Sequence, residues 1–299
     1  MAEPVPLRAR ALPVAAVLAF LLALWYAGAV GLNRAGALER VLPNSHPQGH
    51  TLGDLVSVTL NMERPVLPAP HQVAADLYSS LVDWPLDSPR NLLYHAAVTT
   101  QSTLVGFVLG ALLGMVLAAA IVHSRTLDRA LLPWIVASQT VPVLAIAPIV
   151  LVILGSLGFS GVAPKATIAM YLCFFPVTVA MVQGLRAPQR IETELMHTYA
   201  ASRWQAFWLL RLPSALPFLF PSLRVAIAAG VVGAMVAELP TGAQAGLGAR
   251  LLTGSYYGNT VGIWSALVMS ALLGLGLTMA VAGIERLVLH RRGQPGGPR

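Results

Sequence analysis

Six runs of apolar residues, at roughly 12–32, 96–122, 131–154, 164–185, 213–238 and 260–285, constrain this chain more than any other feature. Each is long enough to cross a hydrocarbon core of about 30 Å. Lipid offers no partners for backbone amides, so such runs must be helical, and Pro142, Pro148 and Pro176 are tolerated only because neighbouring helices take up the carbonyls they free. The rest of the composition agrees. Hydrophobic residues make up 56% of the 299 positions and charged residues 10%, whereas a surface facing water needs about a quarter charged. The formal charge of +7 is scattered between the apolar runs, which fits membrane orientation and not nucleic-acid binding. The single cysteine, Cys173, rules out an internal disulfide and a cysteine-based metal site.

Arg8 and Arg10 precede the first run, and Ala27-Gly28-Ala29 offers a signal-peptide cleavage pattern. The run exceeds the usual 7–15 apolar residues of a signal peptide, so it reads as an uncleaved anchor. Arg125, Arg129, Arg186, Arg190, Arg203, Arg211 and the arginines after the last run fall on one side of the membrane. By the positive-inside rule that side is the cytoplasm, together with both termini. The chain divides into an anchor helix (1–32), an extracytoplasmic loop (33–95), a five-span core (96–285) containing a cytoplasmic loop at 186–212, and a disordered tail (286–299). Within the long loop, Val73, Leu77 and Leu81 recur at helical spacing, so Pro70 to Trp84 is expected to form a short amphipathic helix.

The segment from Arg186 to Pro213 is too polar for lipid yet carries large aromatics. Pro188 opens a helix, and Glu192 and Glu194 lie near its positive end. Leu195, Tyr199 and Met196 give it an apolar stripe. Ser202 caps a second short helix bearing Trp204, Phe207 and Trp208, and Pro213 begins the fifth span. On pattern alone the segment is either an interfacial connector with headgroup anchors or a docking element.

The same segment resembles the cytoplasmic loop of ABC importer permeases, E-A-A-x3-G-x9-I-x-L-P. Glu194 occupies the Glu position, Leu195 and Met196 the two Ala positions, Ala200 the Gly position and Leu210 the Ile position, and Leu212-Pro213 closes the pattern with its spacing intact. Ala201-Ser202-Arg203-Trp204-Gln205, Leu212-Pro213-Ser214-Ala215-Leu216-Pro217, Ser222-Leu223-Arg224, the Gly106/Gly110/Gly114 series and Ala237-Glu238 with Gly246-Leu247-Gly248 look like the nitrate/sulfonate/taurine branch. The likeness covers about residues 66–285. It implies an all-α membrane protein with the six-helix type I (MetI-like) permease fold. It also implies a coupling helix seated in a separate ATPase subunit that holds ATP and Mg, a solute-binding protein on the outer side, and a second permease copy, in all expectation an identical one. Glu192, Glu194, Leu195, Met196, Tyr199, Ala200, Ser202, Arg203 and Trp204 are then the ATPase-coupling residues. Ala200 replaces a glycine that permits the sharp turn between the two short helices, and it fits there if its φ is negative.

The solute is expected to be of the nitrate/sulfonate/taurine type, with a pyrimidine or vitamin precursor as the alternative. The only lysine, Lys165, is not part of a phosphate-binding G-x4-G-K-[ST] loop, so the motor is another polypeptide. This chain itself is expected to bind no cofactor. Two other classes fit the sequence less well. Gly158-Phe159-Ser160-Gly161 resembles an intramembrane serine hydrolase motif, but no deep histidine accompanies it, and the stretch reads as a tight turn. A secondary transporter finds no inverted repeat. As pathway residues the candidates are Gln139, Thr140 and Pro142, beside a kink, with Arg224 and Glu238 in span five. Arg224 lies about 16 Å up a helix from Pro213. It either meets an anionic solute, bonds carbonyls freed by Pro217 or Pro221, or faces the cytoplasmic vestibule. Glu238, about 21 Å from Arg224, is expected to hold the following glycine-rich loop, which either dips back as a gate helix or caps the bundle.

Overall fold

The computed structural model describes residues 7–41, 51–240 and 245–291, and every regular element among them is helical. Five helices are long and apolar enough to cross a membrane, or six if one pair bent at a short break counts as a single span. The tail expected to be disordered from residue 286 is helical as far as Arg291, and its remainder from 292, like the 42–50 part of the long loop, lies outside the described residues. The chain divides into two compact units, 1–92 with 250–268 and 93–249 with 269–299.

In the first unit, helix α1 (Leu7–Gly36) runs through Ala27-Gly28-Ala29 without a break and ends in a π turn, Ala37–Val41. Its outer face, with Leu12 and Phe20, is 74% and 67% exposed, which only lipid or a partner would solvate well. Two helices follow where one was expected. Helix α2 (Leu52–Leu60) starts at a capping box, with Thr51 Oγ1 accepting from Asp54 N and Asp54 Oδ2 accepting from Thr51 N. Its stripe is short and ends at Asn61, so period alone does not reveal it. Helix α3 (Pro70–Val82) is the expected one, with Pro70 in the first turn. Asn33, fully buried, pins the connecting chain: its Nδ2 donates to Thr59 O and Leu67 O, and its Oδ1 accepts from Val66 N and Leu67 N. Trp25 donates to Pro68 O and packs against Trp264 at 5.0 Å.

The second unit holds the larger core. Helix α4 (Leu92–His123) lies against α7 (Val162–Leu185). A Cβ added at Gly106, Gly110 or Gly114 would sit 2.5 Å from Ala169 Cβ, 2.6 Å from Cys173 Cβ and 2.8 Å from Phe174 O, respectively. Only hydrogen at these three positions permits that approach. Helix α7 packs in turn on α10 (Leu212–Glu238), with Cys173, Val177, Met181 and Leu185 buried alongside Ala215 and Ala226. Helix α11 (Leu247–Tyr257) and helix α12 (Thr260–Arg291) complete the chain.

Span three is broken where 131–154 was expected to be one helix. Helix α5 (Arg125–Ala137) passes through a 3-10 turn, Ser138–Thr140, and α6 (Val143–Ser156) leaves at 103°. Pro142 explains the break: it has no N–H to donate, and it drives Val141 into extended backbone, φ −80° and ψ 120°. Gly158 and Gly161, at φ +84° and +69°, reverse the chain into α7, so the Gly158–Gly161 motif is a turn.

Candidate functional site

Helix α8 (Arg190–Thr198) opens with Glu192 Oε2 accepting from Gln189 N at 2.7 Å. Glu194 pairs with Arg190 at 2.8 Å, one turn away and exposed to solvent. Successive residues of a helix turn by about 100°, so Ile191, Leu195 and Tyr199 share one face. They are 70%, 55% and 77% exposed. No intramolecular packing explains three large side chains left bare on a short, well-capped helix, and such a patch marks a surface awaiting a partner. Thr193, Met196 and His197 occupy the opposite face, where Thr193 and Met196 are half-buried.

The helix ends in a Schellman turn. Ala201 N donates to Met196 O and Ala200 N to His197 O, both at 2.9 Å, the paired 6→1 and 5→2 bonds of that motif. Ala200 stands at its left-handed position with φ +51°. The φ is thus positive and not negative: the paired bonds of the turn close only if residue 200 turns left-handed, which for alanine costs roughly 1–2 kcal/mol. Ser202 then caps the next helix, its Oγ accepting from Gln205 N while its own N donates to Gln205 Oε1. Glu192 and Ser202, both named from the sequence, are therefore capping residues.

The second helix of the loop is not separate. Helix α9 (Arg203–Ala206) continues through a π turn, Phe207–Arg211, into α10, giving one uninterrupted element from Arg203 to Glu238. Pro213 has no N–H, and Leu212 N bonds Phe207 O one residue further back than in an α-helix. Phe207 is buried against His123 at the end of α4, while Trp204, next to it, is 65% exposed. Beside the loop, Arg186 pairs with Asp128 of α5 at 2.8 Å, a contact that spacing does not reveal.

The other candidates keep separate partners. Gln139, Thr140 and Pro142 lie exposed at the α5–α6 bend, where Thr140 Oγ1 donates to Ala137 O and Tyr171 donates to Ser138 O. Arg224 pairs with Glu285 of α12 and not with the carbonyls freed by Pro217 or Pro221. Its Nε is buried with no partner among the described residues. Glu285 is the one acidic residue within helix α12, and that was the available signal.

Glu238 is fully buried and ties down the loop that follows, as expected. Gly248 N donates to its Oε2 at 2.8 Å, Thr99 donates to the carboxylate at 3.0 Å, and Leu247 N donates to Thr99 Oγ1 at 2.9 Å. Gly246 N donates to His95 Nδ1. Gly246 has φ +129°, and a Cβ there would lie 2.2 Å from the Glu238 carboxyl carbon, so the glycine is obligatory. The lone lysine joins this cluster: Lys165 lies 3.7 Å from Glu238 Oε1 and donates to Ala245 O. Burying Glu238 without such donors would cost several kcal/mol. The sequence signal was the polar set Thr99, Ser102 and Thr103 at helical spacing inside an apolar span, all buried.

Known proteins share this arrangement of sequence. Residues 110–293 match the family described as binding-protein-dependent transport system inner membrane component. The formylaminopyrimidine transport permease of Halalkalibacterium halodurans is 33% identical over 230 residues, 76% of this chain and 86% of that protein. The riboflavin transport system permease of Chloroflexus aurantiacus is 32% identical over 225 residues, 75% and 80% of the two chains. A putative aliphatic sulfonates transport permease of Bacillus subtilis is 26% identical over 201 residues, 67% and 71%.

Proposed function

The chain belongs to the family of binding-protein-dependent transport system inner membrane components, and we propose that within such an importer α8 is the coupling helix that docks on the ATPase subunit. The chain is a multi-pass inner-membrane permease subunit of an ABC importer, not an enzyme. Its family implies an ATPase subunit and a solute-binding protein as partners.

One observation carries the coupling reading: the exposed Ile191, Leu195 and Tyr199 face of a helix held rigid by a cap at each end. Rigid ends let a push on that face reach α10, because the Schellman turn joins α8 directly to the continuous 203–238 helix. In this reading Ile191, Leu195 and Tyr199 bury themselves in the ATPase, and Glu194 contributes charge. Glu192, Ala200 and Ser202 set the helix–turn–helix geometry, and Met196 braces the inner face. ATP and its magnesium sit on the ATPase. Both termini and α8 lie in the cytoplasm, residues 33–95 outside, and 96–285 form the permease core. Two identical permeases act together, one coupling helix for each ATPase.

The proposed solute is a pyrimidine or vitamin-type heteroaromatic compound. The relatives named for formylaminopyrimidine and riboflavin are 33% and 32% identical to this chain, against 26% for the sulfonate relative. That reverses the preference for a nitrate/sulfonate/taurine solute stated from motifs alone, since those motifs mark the shared permease frame.

Replacing Glu194 with Lys tests the coupling role. In proteoliposomes containing the ATPase and binding protein, uptake is expected to fall at least tenfold while the chain still inserts and the ATPase still hydrolyses ATP. Unchanged uptake would remove α8 from the mechanism. A ligand screen on the cognate binding protein tests the solute: tight binding of taurine or a sulfonate, with none of a pyrimidine or flavin, would reverse it.

A further inference from the structure

The inner face of α8 covers a cavity of about 350 Å³, a size that small-ligand sites share. Four of its lining residues can carry positive charge: His123 at the end of α4, His197 on α8, and Arg203 and Arg211 at either end of the π-turned segment. No carboxylate lines it. The remaining wall is partly apolar, from Val122, Met196 and Leu210.

The two arginines are the informative groups. Arg186 and Arg190 nearby are already paired, with Asp128 and Glu194. Arg203 and Arg211 make no ion pair and no side-chain hydrogen bond among the described residues. Arg211 is nonetheless half-buried, and a partly buried guanidinium left without an anion is costly. Its planar fork matches a phosphate better than it matches any neutral group. An acidic side chain of the ATPase is a poor candidate for the missing anion, because the cavity lies on the face of α8 turned away from Ile191, Leu195 and Tyr199.

The setting favours a lipid. Trp204 and Trp208 flank Phe207 at 6.0 and 5.4 Å, beside the cavity, and such aromatics mark the headgroup level. The apolar wall suits the glycerol and first methylenes of a phospholipid, and basic pockets at the cytoplasmic ends of membrane helices hold anionic headgroups. We propose that this cavity binds the phosphate of an anionic membrane lipid beneath the coupling helix, with Arg203 and Arg211 as its anion-binding groups. The inference rests on the cytoplasmic placement of α8 given above. A lipid held there braces the inner face of the element that the ATPase pushes.

The test uses the full-length chain in nanodiscs of phosphatidylcholine with increasing phosphatidylglycerol, bound lipid being counted by native mass spectrometry. The wild type is expected to retain one phosphatidylglycerol through delipidation. The R203Q/R211Q double variant is expected to weaken that retention about tenfold or more. R203K/R211K keeps the charge without the fork, and is expected to fall between, which separates loss of the site from loss of folding. Arg125→Gln, an exposed arginine outside the cavity, is expected to match the wild type. Equal retention by R203Q/R211Q, or an equal loss in Arg125→Gln, would overturn the proposal. Displacement of the lipid by millimolar inorganic phosphate would also overturn it, by making the site one for a soluble anion. The count needs no ATPase, so it stands apart from the Glu194→Lys result.

Discussion

At Ala200 the chain accepts a left-handed backbone, φ +51°, that alanine does not favour. The two hydrogen bonds of the Schellman turn hold it there. Ala200→Gly is therefore expected to stabilise the 190–206 helix–turn–helix by about 1 kcal/mol. Slower hydrogen–deuterium exchange at Tyr199 to Gln205, with the rest of the chain unchanged, is the measurement, and faster exchange there would contradict it. Spacing located this residue, but its conformation followed from the closure of the helix end, where Ala201 N reaches Met196 O and Ala200 N reaches His197 O. Glu238 teaches the converse lesson. Its position before a glycine-rich loop suggested an anchor, yet Thr99 and Lys165, 139 and 73 positions away in sequence, supply its donors. No local pattern can encode such a meeting.

Among the elements, α4 and α7 depend on three glycines at four-residue intervals, which read from the sequence as a close-packing stripe. The structure gives that stripe its partner, the Ala169, Cys173 and Phe174 face of α7. Gly110→Leu is expected to force the two helices apart and to cost at least 2 kcal/mol, in the range for overpacked cores. A lower melting temperature of the detergent-solubilised chain is the readout. Gly274→Leu on α12, where nothing lies within 4 Å of an added Cβ, is expected to leave it unchanged. Span three departed most from its expected form. Its apolar run is long enough for one helix, but hydropathy does not register direction, and Pro142 with extended Val141 turns the chain by 103°. The π turn at Phe207–Arg211 was equally invisible, because Pro213 reads as a boundary until the helix is seen to continue through it.

For the whole molecule, the proposed orientation has a direct check. Cys173 is the only cysteine and is fully buried, so the chain needs no cysteine-free background. Ser202→Cys is expected to react with a membrane-impermeant maleimide only after the membrane is opened. Tyr78→Cys, exposed on α3, is expected to react in intact spheroplasts. The reverse pattern would invert the topology and place α8 outside, away from any ATPase. The sequence by itself determined the membrane class, the apolar runs that become the long helices, and the helix–turn–helix between spans four and five. These follow from hydropathy, charge bias and local spacing, quantities that add along the chain. Only the tertiary structure decided the rest: the bend in span three, the Arg224–Glu285 and Lys165–Glu238 pairs, and the basic cavity beneath α8. The bend is a local effect of Pro142 that hydropathy does not register. The pairs and the cavity depend on which side chains from distant segments packing brings together, and a buried charge is stable only beside such a partner.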